Sequence, residues 1–274
     1  MALTINTNMA ALIASKNLNN VQGSLNKSFQ RLSSGLRINS AADDAAGLSQ
    51  ASRMSSTIRG SNQAIRNTND GISIAQVAET ALNETESALQ RIRELTVQAA
   101  NGTMTTTDRS DISKEVQALA AEIQRISTDT KFNGNTLLST GGFSAYIKTN
   151  AEATAATVAV QVGSATSTAL GIYQTLSFAT ASKATSALTA IDNALSSVSS
   201  MRASLGAVQS RLESVVSGLQ GIVENTTSAR SRIMDADVAA ETTNLTRSAI
   251  IQQAGVAILA QANQQPSIVL ALLS

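Results

Sequence analysis

The sequence predicts a mostly α fold: long antiparallel helices forming a terminal coiled coil and an inner helical bundle, with a small β-hairpin region. Three observations carry this. Proline removes a backbone donor and clashes with the preceding helical turn, and the 274 residues hold one proline, Pro266, so very long helices are tolerated. Aromatics are 2% and tryptophan is absent, which disfavours a thick core anchored on large rings and favours slender helices packed on one another. Apolar residues recur at three- and four-residue steps over most of the chain.

The elements follow in order. Residues 1 to about 38 read as one amphipathic helix through Met9, Leu12, Ile13, Val21, Leu25, Phe29 and Leu32, ending at Gly35. Asn39-Ser40 offers a cap for a second helical stretch, 41 to about 100, closed by Asn101-Gly102. Within it Ile58, Ile65 and Ile72 form one seven-residue series and Leu82, Leu89 and Thr96 another. The two are offset by three through Ala75 and Ala78, a phase slip that alters supercoiling locally. A third helix, 108–128, carries a heptad seam of Ile112, Val116, Leu119, Ile123 and Ile126, with Thr107 or Asp108 placed to cap it. Phe132-Asn133-Gly134-Asn135 is turn-like, and alternation at Phe143, Ala145, Ile147 and at Val158, Val160, Val162 predicts two short strands. Helix resumes from 184 to about 228, where a second slip falls between Val198 and Met201 before a sustained series to Ile222. The last helix, 235–274, presents Ile250, Ala254 and Ile258 as one row and Ile251, Gly255 and Leu259 as the next, finishing at Leu272 and Leu273. The economical fold pairs the first helix with the last.

Composition narrows the chemistry. Cysteine and histidine are both absent, which removes disulfides, Ser-His-Asp and Cys-His catalysis and ordinary zinc sites. A net charge of +1 points to neither nucleic acid nor an anionic membrane. The terminal apolar run Ile268–Leu273 is far short of the roughly 20 residues of a membrane span. The start, MALTINTNMAAL, lacks a basic region followed by an apolar core, so export is expected by a route other than a secretory signal peptide. Asp43-Asp44, and likewise Asp235 and Asp237, invite an acid–base or metal interpretation. Carboxylates at helix starts, stabilised by the positive end of the dipole, explain them better, since no further ligand lies nearby. No enzyme activity and no cofactor are expected.

Several segments then match a known family. Arg31-Leu-Ser-Ser-Gly-Leu-Arg-Ile-Asn-Ser40 followed by Ala41-Ala-Asp-Asp-Ala-Ala-Gly-Leu48, Ile65 through Ile74, Gln90-Arg-Ile-Arg-Glu-Leu95, Lys131-Phe-Asn-Gly134, Ser231 through Asp237, and Gln252 through Pro266 resemble bacterial flagellin, in its short form without large outer domains. The match covers roughly 1–140 and 184–274. The resemblance implies three parts: 1–40 with 234–274 as paired helices of an inner tube, 41–140 with 183–233 as a helical spoke domain, and 141–182 as a small β-hairpin and loop region in place of outer domains. It also implies a secreted subunit of the extracellular flagellar filament that drives swimming. A hook–filament junction protein, sharing terminal helices and export, is the alternative.

The resemblance further implies contacts. Arg91 and Leu95 are four apart and share a helix face. The seam through Leu89, Ile92 and Thr96 leaves them beside the core and partly outward. With Glu115 they match positions that the family uses between neighbouring subunits and in recognition by the vertebrate Toll-like flagellin receptor. Implied partners are other copies of the chain, the flagellar export apparatus and its chaperone, and the filament cap and hook-junction proteins. Leu12, Val21, Leu25, Phe29 and Leu32 at one end, and Ile250, Ile251, Ile258, Leu259 and Leu272 at the other, are the expected assembly residues. Rich in Ser, Asn, Gln and Ala, both ends are expected to be disordered in the free monomer and to order on incorporation. The two phase slips are expected to allow alternative packings of the spoke domain.

Overall fold

In the computed structural model, residues 7–150, 156–173, 176 and 178–273 are described, side chains from 265 onward excepted. Asn8 starts α1 (Met9–Ser34) as its N-cap, its Oδ1 accepting from Ala11 N–H at 3.0 Å. Gly35, at φ 70°, ends it in the left-handed conformation that only glycine adopts at no cost. The next helix, α2 (Ala45–Ala99), is capped by Asp44, whose Oδ1 accepts from Gly47 N–H at 2.9 Å, rather than by Asn39-Ser40. Asn39 and Ser40 instead donate to Asp43 and close the turn before it. α3 (Thr106–Asp129) begins on a reciprocal capping box between Thr105, two residues before Thr107, and the expected Asp108.

Between α3 and the next long helix lie two hairpins. β1 (Lys131–Phe132) and β2 (Asn135–Thr136) are joined by Asn133 and Gly134, both at positive φ, the two-residue turn that follows strand twist. β3 (Phe143–Lys148) and β4 (Thr157–Val162) pair antiparallel with Ala145 opposite Val160. The alternation also predicts that Thr149-Asn150-Ala151-Glu152 joins these strands; Ala151 and Glu152 lie outside the described residues. α4 (Ala181–Met234) runs one and a half turns past the expected end, because no glycine or proline interrupts residues 222–234. α5 (Val238–Leu273) completes the chain.

The chain divides into two units: Met1–Ser56 with Asn225–Ser274, and Thr57–Glu224. In the second, α2 and α4 are antiparallel. Arg93 pairs with Asp192 at 2.8 Å, Arg202 pairs with Glu86, and Gln209 donates to Glu79 at 2.9 Å. α3 returns against α2, and the buried Arg109 caps the end of α2 by donating to the carbonyls of Ala99 (2.9 Å) and Asn101 (3.0 Å). Val158, Val160 and Val162 of β4 join the helices in one core, with Leu137, Leu138, Ile172 and Phe178. Gly71 lets the hairpin approach closely, since a Cβ there would meet Ile147 at 2.9 Å.

Neither expected phase slip exists. In α2 the residues turned inward are Ser61, Thr68, Ala75, Leu82, Leu89 and Thr96, seven apart throughout, with Ala64, Gly71, Ala78, Thr85, Ile92 and Ala99 between them. Ile58, Ile65 and Ile72 only flank this seam. In α4 the buried series is Ile191, Val198, Leu205, Leu212 and Leu219, and Ala187 and Ala194 hold the intermediate positions, with the larger Leu188 and Leu195 half-buried beside them. The seam mixes small residues, mostly in the first half of α2, with Leu, Ile and Val in the rest of α2 and in α4. The buried threonines are satisfied by bonding back one turn, as Thr68 does to Ala64 (2.7 Å) and Thr85 to Ala81 (2.9 Å).

Candidate assembly surface

In the first unit α1 and α5 lie antiparallel. The α1 seam is Ala11, Ala14, Leu18, Val21, Leu25, Ser28 and Leu32; the α5 seam is Glu241, Leu245, Ser248, Gln252, Gly255, Leu259 and Ala262. Each alternates steps of three and four, the signature of a coiled-coil pair. Gln252 donates to Gln22 at 2.6 Å, Arg31 lies 3.7 Å from Glu241, and Leu18 packs against Gly255. At the far end Asn8 Nδ2 donates to Ala262 O at 2.7 Å. A helix normally fills that carbonyl from the N–H four residues on, but that residue is Pro266, which has none.

The connectors between α1 and α2 and between α4 and α5 are stitched together. Leu36 and Asp235 form an antiparallel bridge, Ala236 N–H donates to Gly35 O at 3.0 Å, and Arg37 donates to the carbonyls of Met234 and Ile233, each at 2.6 Å. Asp237 caps α5, accepting from Ala239 and Ala240, and Asp235 accepts from Ser231. The hydrogen bonds to Asp43 hold its carboxyl below the usual aspartate range. All four aspartates thus serve turns and helix starts, and no group of three or more metal-ligating residues occurs among the described residues.

The expected assembly residues fall into two sets. Val21, Leu25, Leu32 and Leu259 are half-buried in the seam between α1 and α5. Leu12 (64% exposed), Phe29 (55%), Ile250 (60%), Ile251 (47%) and Ile258 (60%) point away from it. Met9, Ile13 and Val256 are equally bare, and sequence periodicity did not separate them from the seam. The Leu272 side chain lies outside the described residues.

Two family models cover most of the chain: the bacterial flagellin N-terminal helical region matches residues 5–142, and the C-terminal helical region residues 188–273. The chain belongs to the flagellin family. Its flagellin relatives include one from Xenorhabdus nematophila, 45% identical over 100% of both chains. The flagellar filament 33 kDa core protein of Treponema phagedenis is 43% identical over 99% of this chain and 100% of its own. Flagellin 1 of Proteus mirabilis is 57% identical over 51% of this chain and 38% of its own. Among solved structures, a protein of Vibrio parahaemolyticus described as flagellar hook-associated shares the fold, with a TM-score of 0.57 at 14% identity over 70% of this chain and 100% of its own.

The flagellin resemblance also singled out Arg91, Leu95 and Glu115. Arg91 donates from Nη2 to Glu115 Oε1 at 3.0 Å and from Nη1 to Glu94 at 3.1 Å, and all three side chains are about half exposed or more. Leu95 is different. It is 3% exposed and part of the core, not partly outward. Ile92, Leu95 and Ala99 all face inward, because the packing of α3 on this stretch widens its buried stripe beyond a two-position seam. The pair across α2 and α3 is therefore Arg91 with Glu115, with Leu95 beneath them.

Proposed function

We propose that this chain is the structural, non-catalytic subunit of a bacterial flagellar filament, secreted and polymerised outside the cell for swimming. One observation carries the reading: α1 and α5 satisfy a seam with each other and still leave Leu12, Phe29, Ile250, Ile251 and Ile258 bare. Burying a side chain of this size is worth roughly 1.5–3 kcal/mol. Repeated head-to-tail contacts between copies would cover these residues and, because they do not close, extend into a helical polymer. Full-length relatives named flagellin and flagellar filament core protein support the same reading, and the 14% identity to the hook-associated protein speaks only to fold.

In this reading 1–40 and 234–274 build the inner layer, 41–140 and 183–233 the surrounding helical layer, and 141–182 stands in place of outer domains. The seam between α1 and α5 supports ordering on assembly. It contains Ala, Ser, Gln and Gly at positions where stable coiled coils carry Leu or Ile, so the pair is weak alone and gains its order from neighbouring copies. An unfolded end also suits passage through an export channel, with a chaperone covering the apolar residues beforehand and the cap and hook-junction proteins offering templates. Arg91 and Glu115 are a surface pair available to a neighbouring copy or to the Toll-like flagellin receptor.

The test seeds purified monomer and images it by electron microscopy beside a version lacking both ends, with amide exchange on the intact chain. Filaments from the intact chain alone, with exchange over 5–32 and 245–272 fast in monomer and slow in polymer, are expected. Soluble monomer from both versions, or protected ends in the free chain, would contradict it.

A further inference from the structure

The second unit carries a knob and a hollow that do not meet within one chain. Tyr146 stands on the outer face of β3 and is 70% exposed. The inward neighbours Phe143 and Ile147 pack on the core, and among the described residues of β4 the outer face beside the ring offers only the small Ala159 opposite it and the polar Thr157 and Gln161. The hollow lies on α3. Its floor is Val116, Ala120, Ile172 and Phe178, all buried, and its rim includes the exposed Gln117 and the half-exposed Tyr173. An aromatic ring gains both area and edge contacts in such a site.

Position and charge favour another copy as the occupant. The hairpin meets α2 at Gly71, through Ile147, whereas α3 meets α2 at Arg91, through Glu115. Twenty residues of helix separate the two levels, roughly 30 Å at 1.5 Å per residue. Knob and hollow on one unit are thus different surfaces, the arrangement a heterologous contact requires. Charge agrees. Lys148, on the same face as Tyr146, is the one charged residue in β3 and β4. The surface of α3 keeps an acidic excess: Asp108, Asp111, Glu115, Glu122 and Asp129 are exposed, and the cations paired with them are Lys114, Arg125 and, from α2, Arg91.

We infer that Tyr146 of one copy seats in the α3 hollow of a neighbouring copy, displaced along the bundle by at most about 30 Å, with Lys148 over the acidic flank of α3. The inference rests on the filament reading and adds a defined aromatic contact to those of the terminal helices and of Arg91 with Glu115.

The test replaces Tyr146 with p-benzoylphenylalanine, which keeps an aromatic ring and couples to its neighbour on irradiation. Filaments are grown from a mixture of isotopically light and heavy chains and the coupled peptides are identified by mass spectrometry. Light–heavy products between 146 and residues 114–121, or Ile172, Tyr173, Leu176 or Phe178, in filaments and not in monomer, are expected. Filaments whose products lie elsewhere, or which give none, would overturn the inference and leave the filament reading standing. Failure of the unmodified chain to polymerise would remove the reading on which it rests. A second measurement covers a variant that assembles poorly: Tyr146→Ala should raise the critical concentration about tenfold, as loss of a single aromatic anchor does, and Tyr146→Phe should leave it near the parent value. An unchanged critical concentration for Tyr146→Ala would equally overturn the inference. Because the side chain is exposed, monomer circular dichroism should be the same in all three.

Discussion

Asn8 is asked to do two things by its neighbours. Its oxygen caps α1 and its amide fills the Ala262 carbonyl that Pro266 leaves without a helical donor. The two roles separate by mutation. Asn8→Asp keeps the acceptor and loses the donor, and should destabilise the polymer by about 1 kcal/mol per chain. Adding Pro266→Ala returns an N–H to the helix and should abolish most of that loss. An equal loss in both backgrounds, measured from urea dissociation of filaments, would contradict the assignment. Asp43 makes a second prediction. Its carboxylate accepts from Asn39 and Ser40 and titrates below the usual aspartate range. A depressed folded value means the turn is fully supported above the ordinary aspartate pKa and loses that support as pH falls through the folded one. Amide shifts of residues 39–44 should therefore move in acid, and Asp43→Asn should remove that transition; a transition unchanged in Asp43→Asn would assign it elsewhere. Neither the Asn8 amide contact nor the Arg109 cap was legible in the sequence, because their partners are backbone carbonyls, which no residue pattern encodes.

At the level of elements, helix existence and the outer strands were plain from periodicity, and caps shifted by a few positions because several Ser, Thr, Asn and Asp residues compete at each start. The seams were misjudged for a more instructive reason. Periodicity weighted toward Ile, Leu and Val follows the largest side chains, but in the first half of α2 these flank a stripe of Ser61, Ala64, Thr68, Gly71, Ala75 and Ala78, and in α4 Leu188 and Leu195 flank the buried Ala187 and Ala194. The energetic consequence distinguishes the two assignments. Ile191→Ala, at a fully buried position, should cost about 2–5 kcal/mol. Leu188→Ala, half-buried beside Ala187, should cost no more than about half as much. Similar costs in urea melts of the monomer would restore the broken seam. An unbroken heptad also withdraws the phase slips as a source of alternative packings.

For the molecule as a whole, family membership was legible because the signatures lie at both ends and quote themselves residue by residue, whereas the division of terminal apolar residues between seam and surface was not. Leu25 and Phe29 look alike in a periodic pattern; only the position of α5 makes one a partner within the chain and the other a bare ring. That division is what the assembly account depends on, and it can be tested without touching the seam. Purified chain carrying Phe29→Ser and Ile258→Ser, both outward, is to be seeded beside the parent and polymer mass followed by sedimentation. The account predicts that the doubly substituted chain keeps the parent's circular dichroism as a monomer and adds nothing to seeds at concentrations where the parent elongates. Elongation at the parent's critical concentration would contradict it.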